Sequence, residues 1–303
     1  MVRKESNTVM KIGVIGGGKV GRCLASYLKE RLVGITANSP EHSRQLAENF
    51  ATEPCTNEEL VERAEVLLLT VPDRLIGMVA ASLVSASVSE HATGSAPAAQ
   101  VPQLPLAGKV FLHCSGSMGL EELAPLAAAG AHVGSLHPLQ SFAGGATQLA
   151  GVYMAVDGDE AACEAATAIA TALGGHPFRV PAAERAAYHA AACICSNYAV
   201  AVEALAQRLM SRWLGDEAAA WQALLPLFKG TAANLERTAS PRTALTGPIA
   251  RGDVTTVAKH LAVLPPELLD AYCSLGLATT KLALANGTID KEVAAELTQL
   301  LKR

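Results

Sequence analysis

Apolar positions along the 303-residue chain change their spacing near Pro181. Before it, short apolar runs of strand type alternate with helix-spaced or polar stretches. Lys11 to Gly16 (KIGVIG) is such a run, and it ends in glycines. Val20 to Arg31 follows at helical spacing, with Val20, Leu24, Tyr27 and Leu28 on one side. Further strands are predicted at Val33–Ala37, Val66–Val71, Lys109–His113, His132–Leu136 and Val152–Val156, and a helical run to Leu173 plus the strand HPFRV closes this part. Ser85 to Gly108, rich in Ala, Ser, Pro and Gln, reads as a long surface loop. After Pro181 the pattern is helical almost throughout, at about Ala182–Leu214, Asp216–Thr238, Asp253–Leu264, Pro266–Ala285 and Asp290–Leu301. The fold expected is an α/β doubly wound, mostly parallel sheet over residues 1–180, followed by an all-α domain over 181–303.

Composition narrows the partners. Hydrophobic residues make up 50% and charged residues 17%, which excludes a disordered chain. Lys plus Arg number 24 against 28 Asp plus Glu, a net charge of -4, so nothing provides the basic field that nucleic acid or an anionic membrane needs. The 7 cysteines are scattered without a Cys-x-x-Cys, and no His-x-x-x-His occurs, so neither a disulfide framework nor a metal site is expected. The N-terminus lacks an apolar signal core, and Leu123–Val156, though free of Asp, Glu, Lys and Arg, is interrupted by His132, Gly134, His137 and Pro138. A cytoplasmic protein without a membrane helix is therefore expected.

The candidate chemistry starts at Gly16-Gly17-Gly18-Lys19-Val20-Gly21. Gly16, Gly18 and Gly21 fit G-x-G-x-x-G. The first permits a tight turn, the second lets a pyrophosphate approach the backbone, and the third lets helix pack on strand. The pattern follows a strand and opens a helix, which is the context of dinucleotide binding. At the end of the second strand, where an acid would hold a bare ribose, the chain has Asn38, Ser39 and Arg44. These suit a 2′-phosphate, so NADP(H) is favoured over NAD, with an Asn-Ser-Pro turn and a solvated Arg44 as the alternative.

Val71, Pro72 and Asp73 (TVPD) and His113 to Ser117 (HCSGS) fall at the carboxyl ends of two further strands, where such sheets bind ligands. Asp73, His113 and Ser115 are thus cofactor candidates, although Asp73 and Ser117 equally suit helix N-caps and His113 a satisfied core position. His137 in SLHPLQSF is placed similarly, or in a structural turn. On the first long helix after Pro181, His189, Cys193, Ser196 and Val200 share a face and Asn197 lies beside it. His189 is a candidate proton donor or an interfacial histidine bonded to a carbonyl, with Ser196 or Asn197 aligning a substrate. In TGPIARGD, Arg251 can hold a carboxylate and Asp253 can cap the next helix.

VIGGGKVG, TVPD, HCSG, SLHPLQSF, YHAAACICSNY and LTGPIARGD together resemble a bacterial family of NADP-oxidoreductase-like proteins with an N-terminal Rossmann domain and a C-terminal domain of unknown function. That family is more distantly similar to pyrroline-5-carboxylate reductase, prephenate dehydrogenase, ketopantoate reductase and the 6-phosphogluconate dehydrogenases. The resemblance implies NADP(H), a small carboxylated substrate, and a 6-phosphogluconate-dehydrogenase-like helical domain that closes the site and dimerises. Where ketopantoate reductases carry Lys and, four residues on, Asn, this chain carries His189 and Cys193. The expected activity is NADP(H)-dependent reduction of a carbonyl, as in a ketopantoate-like 2-oxo acid. The alternatives are imine reduction and a non-catalytic NADP-sensing protein.

Overall fold

The computed structural model describes residues 9–87, 104–144 and 147–302. Its contacts divide the chain into two compact units, 1–197 and 198–303. In the first, strands and helices alternate as β1 (Ile12–Ile15), α1 (Lys19–Leu28), β2 (Leu32–Thr36), α2 (Pro40–Asn49), α3 (Asn57–Arg63), β3 (Val66–Leu69), α4 (Ile76–Ser87), β4 (Val110–His113), α5 (Ala124–Ala128) and β5 (His132–Pro138). Then come β6 (Tyr153–Gly158), α6 (Glu160–Ala172), β7 (His176–Arg179) and α7 (Arg185–Cys195).

The sheet order is β2-β1-β3-β4-β5-β6-β7. The first five strands are parallel, β6 runs antiparallel to β5, and β7 runs parallel to β6. A two-residue period sends Val66 and Leu68 of β3 into one core layer, with Leu24, Ile35 and Ile169, and Leu67 and Leu69 into the other, with Leu60, Phe111 and Leu123. Each such fully buried side chain contributes about 1.5 to 3 kcal/mol. The helices covering the sheet start at local caps: Ser39 accepts from the His42 N–H, Thr56 and Glu59 form a capping box, and Asp159 accepts from the Ala162 N–H.

The expected loop at Ser85–Gly108 begins later than its composition indicates. Helix α4 continues to Ser87, held by the buried faces of Ala80 and Leu83, and at the far end Leu104 and Leu106 are buried in the core. The rest of that loop lies outside the described residues.

The expected single helix over Ala182–Leu214 is two. A 3-10 turn at Ala182–Glu184 leads into α7, which ends at Cys195, and α8 (Asn197–Leu214) begins after Ser196, whose φ of -111° and ψ of -67° break the helix. By length and composition, 182–214 also passes as long and apolar enough to cross a membrane. It carries Glu184, Arg185, His189, Glu203, Arg208 and Arg212.

The second unit adds α9 (Glu217–Glu236), α10 (Val254–Val263), α11 (Pro266–Ala285) and α12 (Lys291–Leu301). Asp253 caps α10 as expected, accepting from the Thr256 N–H at 2.9 Å. The core of this unit is built by α10 to α12 through Val257, Leu261, Cys273, Ala283, Leu297 and Leu301. Helix α8 buries no residue and α9 buries only Ala220, while Val200, Trp213, Leu214 and Leu227 stand exposed.

Candidate active site

All the motifs after β1 to β5 come together at the carboxyl edge of the sheet, because parallel strands deliver their following loops to one side. The glycines divide the work as their spacing implies. Gly16 has φ +121°, and a Cβ there would lie 2.8 Å from the Thr70 carbonyl carbon and the Val71 nitrogen. Gly21 packs so closely on the Gly16 carbonyl oxygen that no Cβ fits between helix and strand, and Gly17 is closed off by Leu46. Gly18 alone opens to free space, with only the Thr70 oxygen at 4.0 Å from a Cβ position. It is the N-cap of α1 and makes no side-chain cap bond, so the first-turn N–H groups of α1 remain for an anion. Lys19 is exposed beside it and Val20 is half-buried. This cradle fits a dinucleotide pyrophosphate.

Ser39 is committed to capping α2, while Asn38 and Arg44 are exposed after β2. Val71 is half-buried and Pro72 exposed at the end of β3. The capping role for Asp73 and Ser117 does not hold. Asp73 sits inside a 3-10 turn behind Pro72, and its carboxylate accepts from the Ser115 hydroxyl at 2.7 Å and the Ser117 hydroxyl at 3.5 Å. Ser115 in turn accepts from the N–H groups of Ser117 and Met118, so Asp73 and Ser115 brace the loop after β4.

His113 faces the interior. It is fully buried, Nδ1 accepts from the Ser115 N–H at 3.2 Å, and Nε2 donates to the Gly119 carbonyl at 2.8 Å. Desolvation first, and the nearby Arg185 charge, lower its pKa to about 4. A histidine held neutral in the fold but free to charge when unfolded costs stability as pH falls through 6.5 and stops costing more below about 4. Unfolding by urea is therefore expected to show a loss of about 3 kcal/mol per such histidine between pH 7 and pH 4, and His113→Asn is expected to flatten that slope.

Two residues that the sequence reading did not single out complete the site. Arg185, the first residue of α7, is 1% exposed, donates to the Ser115 carbonyl at 3.4 Å and to the Ser135 hydroxyl, and so ties the loop after β4 to β5. Among the described residues it has no carboxylate within ion-pair distance; the buried Asp157, which pairs with Arg179 at 3.7 Å, acts on it from farther off. Tyr188, one turn along, places its hydroxyl 2.7 Å from Nδ1 of His137, with the rings edge-on at 5.6 Å. Burial pushes the Tyr188 hydroxyl up to about 12, and burial followed by Arg185 brings His137 down to about 4.

His189 stands 6.3 Å from the His137 ring, and its Nδ1 is 3.8 Å from Cys193 Sγ, so these two residues do share a face of α7. Ser196 is the C-cap of α7, where the helix breaks. Gly116 is what lets the two imidazoles approach the loop: a Cβ would lie 2.7 Å from His189 Cδ2 and 2.8 Å from His137 Nε2. His137, Tyr188, His189, Phe142, Ser196 and Asn197 line a cleft of about 600 Å³. Arg251 lies in the second unit, exposed at the end of a 3-10 turn that Gly252 closes with φ +70°. No group of metal-ligating side chains occurs among the described residues.

Residues 11–92 match the family described as NADP oxidoreductase coenzyme F420-dependent, and residues 152–279 match a domain of unknown function, DUF2520. The first match, on the strand-and-glycine cradle described above, makes the chain an NADP-dependent oxidoreductase with a Rossmann-type sheet. A particular enzyme is not given by either match, and no curated protein matches the chain. Among solved structures it is similar to a Bacteroides fragilis protein described as an NADP oxidoreductase, with 20% identity, coverage of 96% of this chain and 98% of that one, and a TM-score of 0.63. A Thermotoga maritima protein is 27% identical over 96% and 100% of the two chains, with a TM-score of 0.61. A pyrroline-5-carboxylate reductase from Coxiella burnetii shares the fold at 14% identity over 97% and 100%, with a TM-score of 0.58.

Proposed function

We propose that this protein uses NADPH to reduce the carbon–nitrogen double bond of a small carboxylated imine in the cleft beside Gly116. The observation that carries this reading is the neutral pair at the cleft wall. With His137 lowered to about 4 and Tyr188 raised to about 12, neither exchanges a proton near pH 7. Both serve as hydrogen-bonding groups. An iminium reaches the hydride donor already protonated, whereas carbonyl reduction draws a proton for the forming alkoxide, so a cleft in which His137 and Tyr188 keep their protons and proton handling falls to His189 favours the iminium. The described activity of the Coxiella burnetii neighbour, reduction of a cyclic imino acid, supports the same choice over a ketopantoate-like 2-oxo acid.

NADPH, when bound, supplies hydride from the nicotinamide C4. In this reading Gly16 to Gly21 hold the pyrophosphate, and Asn38, Arg44 and the hydroxyl proton of Ser39, whose oxygen caps α2, meet the 2′-phosphate. His189 holds the proton at the reacting nitrogen, and Ser196 and Asn197 align the substrate. Residues 1–180 serve the cofactor, and residues 181–303 serve substrate and assembly. The working place proposed is the cytoplasm, in keeping with seven free cysteines, with neither nucleic acid nor membrane as partner. An NADPH-oxidation screen of cyclic imino acids beside 2-oxo acids tests the reading. Turnover of imines supports it, turnover of 2-oxo acids alone replaces it with carbonyl reduction, and tight NADPH binding without turnover replaces it with a sensing role.

Two expected results follow from the same assignments. Arg44→Ala is expected to remove a preference for NADPH over NADH of about 1 to 3 kcal/mol, read by fluorescence titration of both cofactors. The unburied faces of α8 and α9 are expected to be covered by a second copy of the chain, so light scattering at micromolar concentration should report a homodimer.

A further inference from the structure

We propose that His137, oriented by Tyr188, is the anchor for the substrate's carboxylate, with the buried Arg185 guanidinium providing the positive field behind it. The inference rests on the cleft being the substrate site and adds to it the group that fixes the substrate's orientation.

In this proposal the Tyr188 hydroxyl, 2.7 Å from Nδ1 of His137, is the donor in the bond between them, with Nδ1 accepting. The ring proton of His137 is then on Nε2, which lies close beside Gly116, while the residue itself lines the cleft. His137 is thereby a fixed N–H donor.

The charge that this donor sees comes first from Arg185, then from His189, Asp73 and His113. Asp73 is held back by Ser115 and Ser117, while Arg185 has no acid in ion-pair range among the described residues and feels the buried Asp157 only from farther off; Arg185 acts more strongly on His137 than Asp73 does. A site with a neutral N–H donor in front of an unpaired buried cation selects an anionic oxygen over a neutral one. The cation itself is sealed from solvent at 1% exposure, so it acts through its field and through the loop it ties to Ser135, not by touching the ligand. Arg185 is in this sense a positioning residue. His189, 6.3 Å away across Gly116, stays available for the reacting nitrogen, which places the carboxylate and the carbon–nitrogen bond of the substrate close together.

The test uses the full-length protein with ¹⁵N-labelled imidazoles and propionate as the probe, with propionamide as its uncharged counterpart. Expected are an Nε2–H tautomer for His137, a shift of its ring nitrogens on titration with propionate, and little response to propionamide. His137→Ala is expected to weaken propionate roughly tenfold, His137→Gln, which keeps a donor near the Nε2 position, to restore most of it, and Tyr188→Phe to give a mixture of tautomers.

An Nδ1–H tautomer in the wild type, equal response to both probes, or loss of propionate binding in Arg251→Ala with none in His137→Ala overturns the proposal. These readouts need no turnover. A protein that reduces imines yet shows no propionate response at His137 sinks the anchor alone, whereas propionate binding without any imine turnover sinks the proposed reaction and leaves the anchor standing.

Discussion

Gly18→Ala is expected to leave the melting temperature almost unchanged while weakening NADPH binding by roughly tenfold or more, and Gly21→Ala to lose both binding and stability. The two positions differ in what surrounds them. Gly18 has an extended conformation that any residue adopts, with φ -73° and ψ -172°, and a methyl group there meets nothing closer than 4.0 Å. The added carbon therefore costs the fold little but occupies the space through which a pyrophosphate nears the first turn of α1. At Gly21 the same methyl group has the Gly16 carbonyl oxygen and the Thr70 side chain in its way. Helix α1 must move off the sheet, at about 1 to 3 kcal/mol for such overpacking, and the loop it anchors moves with it. Titration of NADPH fluorescence together with thermal melts separates the two outcomes. Equal loss of stability in both variants would show that Gly18 is a plain turn glycine.

His189→Ala is expected to lower kcat by about 10² to 10⁴, the range for removing a proton-handling group, with NADPH affinity nearly unchanged. His189 belongs to α7 and borders the cleft at Gly116, whereas the pyrophosphate cradle is formed by the β1–α1 turn. The substitution removes one imidazole without touching that turn. Circular dichroism guards against unfolding. A normal kcat with a lower melting temperature would assign His189 to packing against His137 and Cys193 instead, and a matching rise in the NADPH dissociation constant would tie α7 to the cofactor.

The cradle was legible because everything it needs lies within a few residues of chain: a strand, three glycines at fixed spacing, and a helix start. The same holds for the Asp253 cap and for the end of α11 at Ala285. Asp73 was legible as a polar group at a strand end but not in its role, because its partners Ser115 and Ser117 are more than forty residues away and only strand pairing between β3 and β4 brings them near. Arg185 and Tyr188 were missed for the same reason. In the sequence they are an arginine and a tyrosine in an alanine-rich helix. Only the sheet reveals that Ser135 and His137 wait for them. A faint signal existed in RAAYH itself, where a cation, a phenol and an imidazole crowd into five residues immediately after the change of pattern at Pro181. The break at Ser196 left no mark that helical periodicity detects, since Cys, Ser and Asn fit either a continuing helix or its end.

The outermost strand β7 carries His-Pro-Phe-Arg, and its pairing with β6 decides what its outer margin presents. The N–H groups of His176 and Val180 point inward, to the carbonyls of Val152 and Val156, so by the two-residue alternation Pro177 and Arg179 face outward. Proline has no N–H to give, so of these two outward positions only Arg179 offers one, while its guanidinium lies 3.7 Å from Asp157 of β6. A strand from another molecule finds half of the donors it needs for a continuous ladder. The sheet is thus self-terminating on this side. Crowded chains are deterred from stacking sheet to sheet, and the molecule gains protection against fibrous aggregation without lengthening or covering the strand.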